Sequence, residues 1–271
     1  MRDTSAGRAQ ALRQLAAGEG IGLRTVALDV QSEESVQATV ATVLAEAGEL
    51  DVVVDHAGHL AIGYVEAFAT DDVSHLFDLN VLGAQRVNRA VLPHLRDRAR
   101  ARGTLLYVGS TSIIDAPPFL GPYVASEAAF DVMAQAMRYE VAPLGIETVI
   151  VMPGPFTRGT SHFPNASRAS GESVAHGHAA LDPLVARDLE ATNSLFEPGV
   201  DPDPVTVAEE ITRILALPYG TVSVPQRGRL QSTSVDFTRF GVEEIVDLTE
   251  RHIHEAMTHM GLEQLLTVYQ D

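Results

Sequence analysis

Ser110, Tyr123 and Glu127 are the residues whose types and spacing carry the most chemistry. A strand-like run, Thr104 to Val108, ends at Gly109 and Ser110, and Tyr123 opens a long apolar-striped helix thirteen positions after that serine. The turn formers Asp115, Pro117, Pro118, Gly121 and Pro122 stand between them. A hydroxyl at a strand's C-terminal end and a phenol on the first turn of the next helix can face one small molecule, because parallel α/β sheets hold ligands at that end. Glu127 lies four residues beyond Tyr123, on the same helical face. An ionised carboxylate there raises the phenol above its reference pKa of about 10.

The remaining polar candidates are more dispersed. Asp55-His56-Ala57-Gly58 follows the apolar run Val52–Val54, and Asn80 sits inside a long helical pattern. His162, His176 and His178 lie in a polar stretch with no cysteine and no placed carboxylate, which is not a metal-ligand pattern. His252 and His259 share a helical face two turns apart, too far for one ion. No metal is expected.

These residues need elements to position them. Residues 6 to 19 favour helix, and Gly18, Gly20 and Gly22 end it. Leu23 to Val30, β-branched at Thr25, Val26 and Val30, reads as a strand. Ser32 is a helix N-cap with Glu33 and Glu34 in the first turn, Val36, Val40, Val43 and Leu44 form one stripe, and Gly48 stops the helix. Val52–Val54 reads as a strand buried on both faces. Thr70 is expected to cap a helix running to about Arg98. Glu147 to Met152 is the next buried strand, ending at Pro153-Gly154. Residues 157 to 204, rich in Ser, Gly, Pro, Asn and His, read as a mobile loop with a short helical patch near Leu181 to Leu189. Pro204 begins a helix to about Leu217, Thr221 to Val224 is the last strand, and helices close the chain near Val242–His259 and Leu262–Tyr269. This alternation predicts a single α/β domain built on a parallel sheet.

Bulk properties narrow the partners. The net charge of −17 argues against nucleic acid or an anionic membrane. There is no cysteine, so disulfide and thiolate chemistry are excluded. No run approaches the roughly 20 apolar residues of a membrane helix, and the first residues have no signal-like apolar core, so a cytoplasmic protein is expected. All 19 basic side chains are arginine, so the chain contains no lysine at all.

The order of these motifs resembles the short-chain dehydrogenase/reductase family, with good register to about Phe156 and more loosely beyond. Ser110 and Tyr123 match the family's serine and tyrosine, and Asn80 its helix asparagine. Asp29 matches the acid that contacts adenine. Asp55-His56-Ala57-Gly58 stands where Asn-Asn-Ala-Gly is expected, and Pro153-Gly154, with Thr157 beyond, matches the turn beside the nicotinamide. The resemblance implies a Rossmann-like doubly wound sheet, a small carbonyl or alcohol substrate, NADP or NAD as cofactor, and a homo-oligomer. The helix with Phe130, Met133, Met137 and Val141 would form part of the interface.

The departures from the family are equally specific. The family's opening strand and its Gly-rich phosphate turn have no counterpart, which is about 40 residues of its usual layout. Gly18, Gly20 and Gly22 precede a predicted strand instead of following one. Glu127 occupies the position of the catalytic lysine. Exchanging cation for carboxylate ~5 Å from the phenol, at an effective dielectric near 20, shifts the balance by up to ~6 kcal/mol. Three functions are therefore open: an NAD(P)-dependent oxidoreductase with impaired hydride transfer, a non-redox pseudoenzyme acting as a binding or assembly partner, and a cofactor-free acid–base enzyme with Glu127 or His56 as base and Tyr123 as acid. With strands missing beside Val52–Val54, the Leu23–Val30 strand is expected to pair against that edge.

Overall fold

The computed structural model describes residue 5 and residues 7–97, 103–196, 198–200, 202–220, 232–236, 241–262 and 265. Helix α1 spans Gly7–Gly18 and α2 spans Glu33–Ala47. Ser32 caps α2 by accepting a hydrogen bond from Ser35 N at 3.1 Å, and Gly48 ends it with φ of 84°, a conformation that suits glycine. Strand β1 (Val52–Asp55) follows, then a two-residue strand, β2 (Ala61–Ile62), and α3 (Thr70–Phe77). A π-helical turn over Asp78–Leu82 joins α3 to α4 (Gly83–Arg96). The expected long helix is thus interrupted, and its N-cap is Ala69 rather than Thr70. Next come β3 (Gly103–Val108), the short α5 (Ser112–Asp115), α6 (Gly121–Val141) and β4 (Ile146–Pro153).

Four parallel strands make the main sheet, in the order β1-β3-β4-β6, where β6 spans Ser232–Val235. β6 lies between the helices expected at Pro204–Leu217 and Val242–His259, and the predicted strand at Thr221–Val224 falls outside the described residues. β3 is buried along its whole length and β4 nearly so. Their side chains alternate as a pleated strand requires. Leu105, Tyr107, Ile146, Ile150 and Met152 face one layer with Leu95 of α4 and Phe130 of α6. Leu106, Val108, Val149 and Val151 face the other, against Ile214 of α10 (Val205–Leu215). Each such side chain contributes roughly 1.5–3 kcal/mol by leaving water. Helix α11 (Glu243–His259) adds Val246 to the first layer. The second predicted C-terminal helix, Leu262–Tyr269, lies largely outside the described residues.

Two expectations fail at one edge of the sheet. Leu23–Val30 is not a strand, and among the described residues no strand lies against the outer edge of β1. The segment is tied to helices instead: Thr39 Oγ1 donates to Ala27 O at 2.6 Å, and Arg13 donates to Thr25 Oγ1 at 2.5 Å. β-branched composition suits a strand, but strand hydrogen bonds come only from a neighbouring strand. Nor is Val52–Val54 buried on both faces. Val53 packs into the first layer, while Val52 and Val54 stay 38% and 46% exposed. They point to the side that α10 covers only partly, beside a cleft of about 220 Å3 lined by Asp51, Val52, Val149, Ile214 and Leu217.

The stretch from 157 to 204 carries short elements of its own and several ties to the rest of the chain. It holds β5 (Ser167–Arg168), paired in parallel with β2, and the short helices α7 (Glu172–Gly177), α8 (Asp182–Ala186) and α9 (Asp188–Asn193). Ser167 N donates to Leu60 O at 2.9 Å, Gly171 N to Ala67 O at 2.9 Å, and Ser170 N to Asp72 Oδ2 at 3.0 Å. The exposed pair His178–Glu66, at 2.8 Å, adds a further tie. A Cβ at Gly171 would stand 2.6 Å from Ala67 O, a backbone atom with little room to yield. Gly171→Ala is therefore expected to lower stability by about 1–3 kcal/mol. Urea denaturation checks this, and an unchanged midpoint contradicts the anchoring.

Candidate functional site

Ser110 and Tyr123 come together at the C-terminal end of β3. Gly109 N is held by Val151 O at 2.9 Å and Thr111 N by Pro153 O at 3.0 Å, so the serine loop continues the sheet's alignment. Ser110 Oγ lies 2.8 Å from Ser112 Oγ and accepts from Ser112 N at 3.2 Å. Tyr123 reaches it from the first turn of α6, where Pro122 supplies the helical φ without a lost hydrogen bond. Gly121 lets the helix approach Val65, since a Cβ there would meet Val65 Cγ2 at 2.5 Å. Tyr123 is 7% exposed, and the Ser110 side chain acts on its phenol. Burial pushes its pKa well above the usual tyrosine range, and Glu127 raises it further, against a smaller lowering by Ser110.

Glu127 lies one turn below Tyr123 and is equally buried, at 7%. Desolvation, reinforced by Asp131 on the next turn, raises its carboxyl to about 8. At neutral pH the side chain that replaces the family's cation is therefore an uncharged carboxylic acid. Asp131 is itself raised, chiefly by burial. One face of α6 thus carries a phenol and two acids, without the ammonium group that would favour ionising the phenol.

Asn80 sits in the π-helical turn, a feature often found where a helix serves a site. Its Nδ2 donates to His59 O and to Ser126 Oγ, both at 3.0 Å, and its Oδ1 accepts from His59 N at 2.8 Å. Ser126 Oγ in turn donates to Tyr123 O at 2.7 Å. Asn80 therefore pins the loop after β1 to the tyrosine helix. Sequence reasoning missed Ser126 and His59 as members of this network, although Ser126 lies three residues along the helix from Tyr123.

His162 was also missed, except as a weak metal ligand. The anchored loop brings its ring edge-to-face against Tyr123, with centroids 5.7 Å apart. Burial, together with the neighbouring His59 and His56, holds its pKa below the ordinary histidine value. No sequence pattern reveals this contact, because 39 positions separate the two residues. Among the described residues no group of three or more His, Cys, Asp or Glu is arranged to hold a metal.

The other expected site residues are distributed unevenly. Asp55 ends β1, is buried, and is raised to about 7 by desolvation; its Oδ2 has no hydrogen-bond partner among the described residues. His56, Ala57 and Gly58 are exposed in the loop that follows. Pro153 and Gly154 lie at the end of β4, and Gly154 N donates to Val235 O at 2.9 Å. Thr157 Oγ1 bonds Asn193 Oδ1 at 2.5 Å, away from the hydroxyl pair's network. Asp29 shapes the turn into α2, accepting from Gln31 N at 3.1 Å.

A nicotinamide dinucleotide fits these residues only in part. The hydroxyl pair and the Pro153-Gly154 turn stand at the end of the sheet where the reacting ring of the cofactor would be held. The pyrophosphate needs backbone N–H groups at a glycine turn between strand and helix. Gly18, Gly20 and Gly22 follow a helix instead, and a Cβ at any of them meets nothing within 4 Å, so they form no close cradle. Over Gly154, Asp236 Oδ1 lies 2.8 Å from where a Cβ would be, placing a carboxyl group against the turn.

Comparison with known proteins agrees with this geometry. The family model of the short chain dehydrogenases matches residues 1–169. The chain is 31% identical over 176 residues to 3-ketodihydrosphingosine reductase of Bacteroides thetaiotaomicron, covering 65% of each protein. It is 32% identical over 218 residues to bovine retinol dehydrogenase 8, covering 80% of this chain and 67% of that one. The matches span 41–67% of the length of these curated relatives, and most of them less than half. Among solved structures, a short-chain dehydrogenase from Streptomyces avermitilis superposes with a TM-score of 0.68 at 23% identity, over 96% of this chain and 85% of that one. A gluconate 5-dehydrogenase from Burkholderia cenocepacia, in complex with NADP and tartrate, gives 0.55 at 26% identity over 60% of this chain and 62% of that one. Hydroxyl pair, π-turn asparagine, parallel sheet and family model coincide, and the chain belongs to the short-chain dehydrogenase/reductase family.

Proposed function

We propose that this chain uses the Ser110–Tyr123 pocket to hold a carbonyl- or hydroxyl-bearing small molecule, and that hydride transfer with NADP or NAD, the chemistry of its oxidoreductase relatives, is impaired in it. The observation that carries this reading is Glu127. Burial first, and Glu127 one turn below once it ionises, push the Tyr123 phenol's pKa up with no cation to oppose them, whereas proton transfer near neutral pH calls for a pKa moved down towards the working range. The open glycines at 18, 20 and 22 support the same reading.

The purified chain is titrated with NADPH and NADH, followed by cofactor fluorescence and by melting temperature. No saturation up to millimolar cofactor is the expected result. Saturable micromolar binding with turnover of a ketone would overturn the reading. A second use of the pocket, cofactor-free acid–base chemistry, is favoured by the neutral Glu127 and by the imidazole set against Tyr123. A homo-oligomer that uses α6, where Met133 is 38% exposed while Phe130 and Val141 pack into the core, and a cytoplasmic location complete the proposal.

A further inference from the structure

We propose that His162 is the proton-accepting base of a carbonyl enolisation in the Ser110–Tyr123 pocket: the two hydroxyls hold a ketone oxygen, and the imidazole takes a proton from the adjacent carbon. The inference rests on the cofactor-free reading of the pocket and names the base for it.

The geometry has three parts. The Ser110 and Tyr123 side chains lie close enough that Ser110 lowers the phenol's pKa, so a carbonyl oxygen set between the two hydroxyls can accept from both. His162 lies against the Tyr123 ring at 5.7 Å and also touches Phe163, with ring centroids 6.1 Å apart. The walls around them are apolar: Leu60, Leu76 and Val124 are buried, with Phe119 and Phe163 packed against them. The loop that carries His162 is fixed on the same side of the site by the β2–β5 pair and the Gly171–Ala67 hydrogen bond. A base held by an anchored element keeps its position through the reaction.

The protonation states suit this role. The titratable groups that act on His162 are His59 and His56 from the loop after β1, and Tyr123 lies against it from α6, with Glu127 behind the phenol. Burial and the two imidazoles keep His162 neutral at pH 7, able to accept a proton. The phenol remains protonated and can donate to developing oxyanion charge. A neutral acid at Glu127 adds no negative charge beside that oxygen below about pH 8. Environments that separate acid and base assignments in this way are a recognised basis for enol chemistry.

The step balances without oxidant or reductant. The α C–H bond breaks and its proton forms an N–H bond on the imidazole. The C–H electron pair becomes the C=C bond, and the carbonyl π pair moves onto oxygen, stabilised by the Ser110 and Tyr123 O–H groups. Return of a proton to carbon regenerates the ketone. In heavy water this return exchanges the α-hydrogen for deuterium.

The test uses the whole chain with no cofactor added, and cyclohexanone in D2O, with loss of the α-proton signal followed by 1H NMR. The expected result is exchange about 10²-fold or more above buffer, as a positioned base provides. It should rise with pH to a plateau through an apparent pKa below 6.5. His162→Ala and His162→Asn should both remove the excess, while His176→Ala, exposed on α7, keeps it. Circular dichroism and melting temperature confirm that each variant is folded. Exchange at the buffer rate in the wild type, or exchange unchanged in folded His162→Ala, overturns the proposal. Because no cofactor is present, micromolar NADPH binding in the separate titration would refute impaired hydride transfer while this result stands on its own.

Discussion

Glu127→Gln is expected to make the protein more stable than the wild type above pH 7, with the gap widening as pH rises. The sign follows from the two protonation states. An unfolded glutamate releases its proton near 4.5, whereas the folded side chain holds it to about 8. Between those values the native state binds the extra proton, so stability falls as pH rises. The favourable contribution is complete below about pH 4.5 and lost through pH 8. Asp131 and Asp55 are raised in the same direction, Asp55 to about 7, so the wild type carries several such groups. A tenfold change in proton affinity corresponds to about 1.4 kcal/mol, which puts the effect of Glu127 on the order of a few kcal/mol as an upper bound. Glutamine keeps the shape and cannot ionise. Urea denaturation of both proteins at pH 5.5, 7 and 9 measures the effect. Parallel pH dependences would show that Glu127 is not held protonated by the fold.

Arg138→Ala should cost about 3–5 kcal/mol, the range for breaking one side of a buried ion pair. Arg138 is 2% exposed on α6, and its Nη1 donates to both carboxylate oxygens of Glu250 on α11, at 2.8 and 3.0 Å. Its Nη2 donates to the Tyr139 hydroxyl at 2.9 Å, and the guanidinium lies 4.9 Å from that ring's centroid. Alanine leaves Glu250 without this partner and close to Asp131, whose pKa Glu250 already raises. Arg138→Met with Glu250→Leu should recover most of the loss, because two apolar side chains of similar volume carry no stranded charge. The double-mutant cycle, read by denaturation, gives the coupling. Additive single effects would mean that the pair does not join α11 to the tyrosine helix.

The open edge of β1 connects the fold to the functional question. Val52 and Val54 are partly exposed, α10 is the helix packed on that face, and Leu23–Val30 has no strand partner among the described residues. Unpaired edges of this kind invite association. Just before Leu23–Val30 in the chain, a Cβ at Gly18, Gly20 or Gly22 would meet nothing within 4 Å.

Local physics was legible in the sequence wherever one residue decides a local conformation. Ser32 caps α2, Gly48 ends it, and the run Val149–Met152 of β4 is buried because its residues are apolar on both faces. The spacing from Ser110 to Tyr123 could be read as placing a strand-end hydroxyl near a phenol on the next helix, since a strand, a turn and a helix of those lengths can close in few ways. Tertiary structure decided what depends on distant partners. Leu23–Val30 has a strand's composition but no ladder to join, and Val54 is apolar yet uncovered. The protonation of Glu127 depends on burial and on Asp131, and the place of His162 depends on β5 finding β2. Residue type and short-range spacing specify conformation and motif. Desolvation, strand pairing and contacts between remote segments arise only once the chain has closed on itself, and they determine what the site can do.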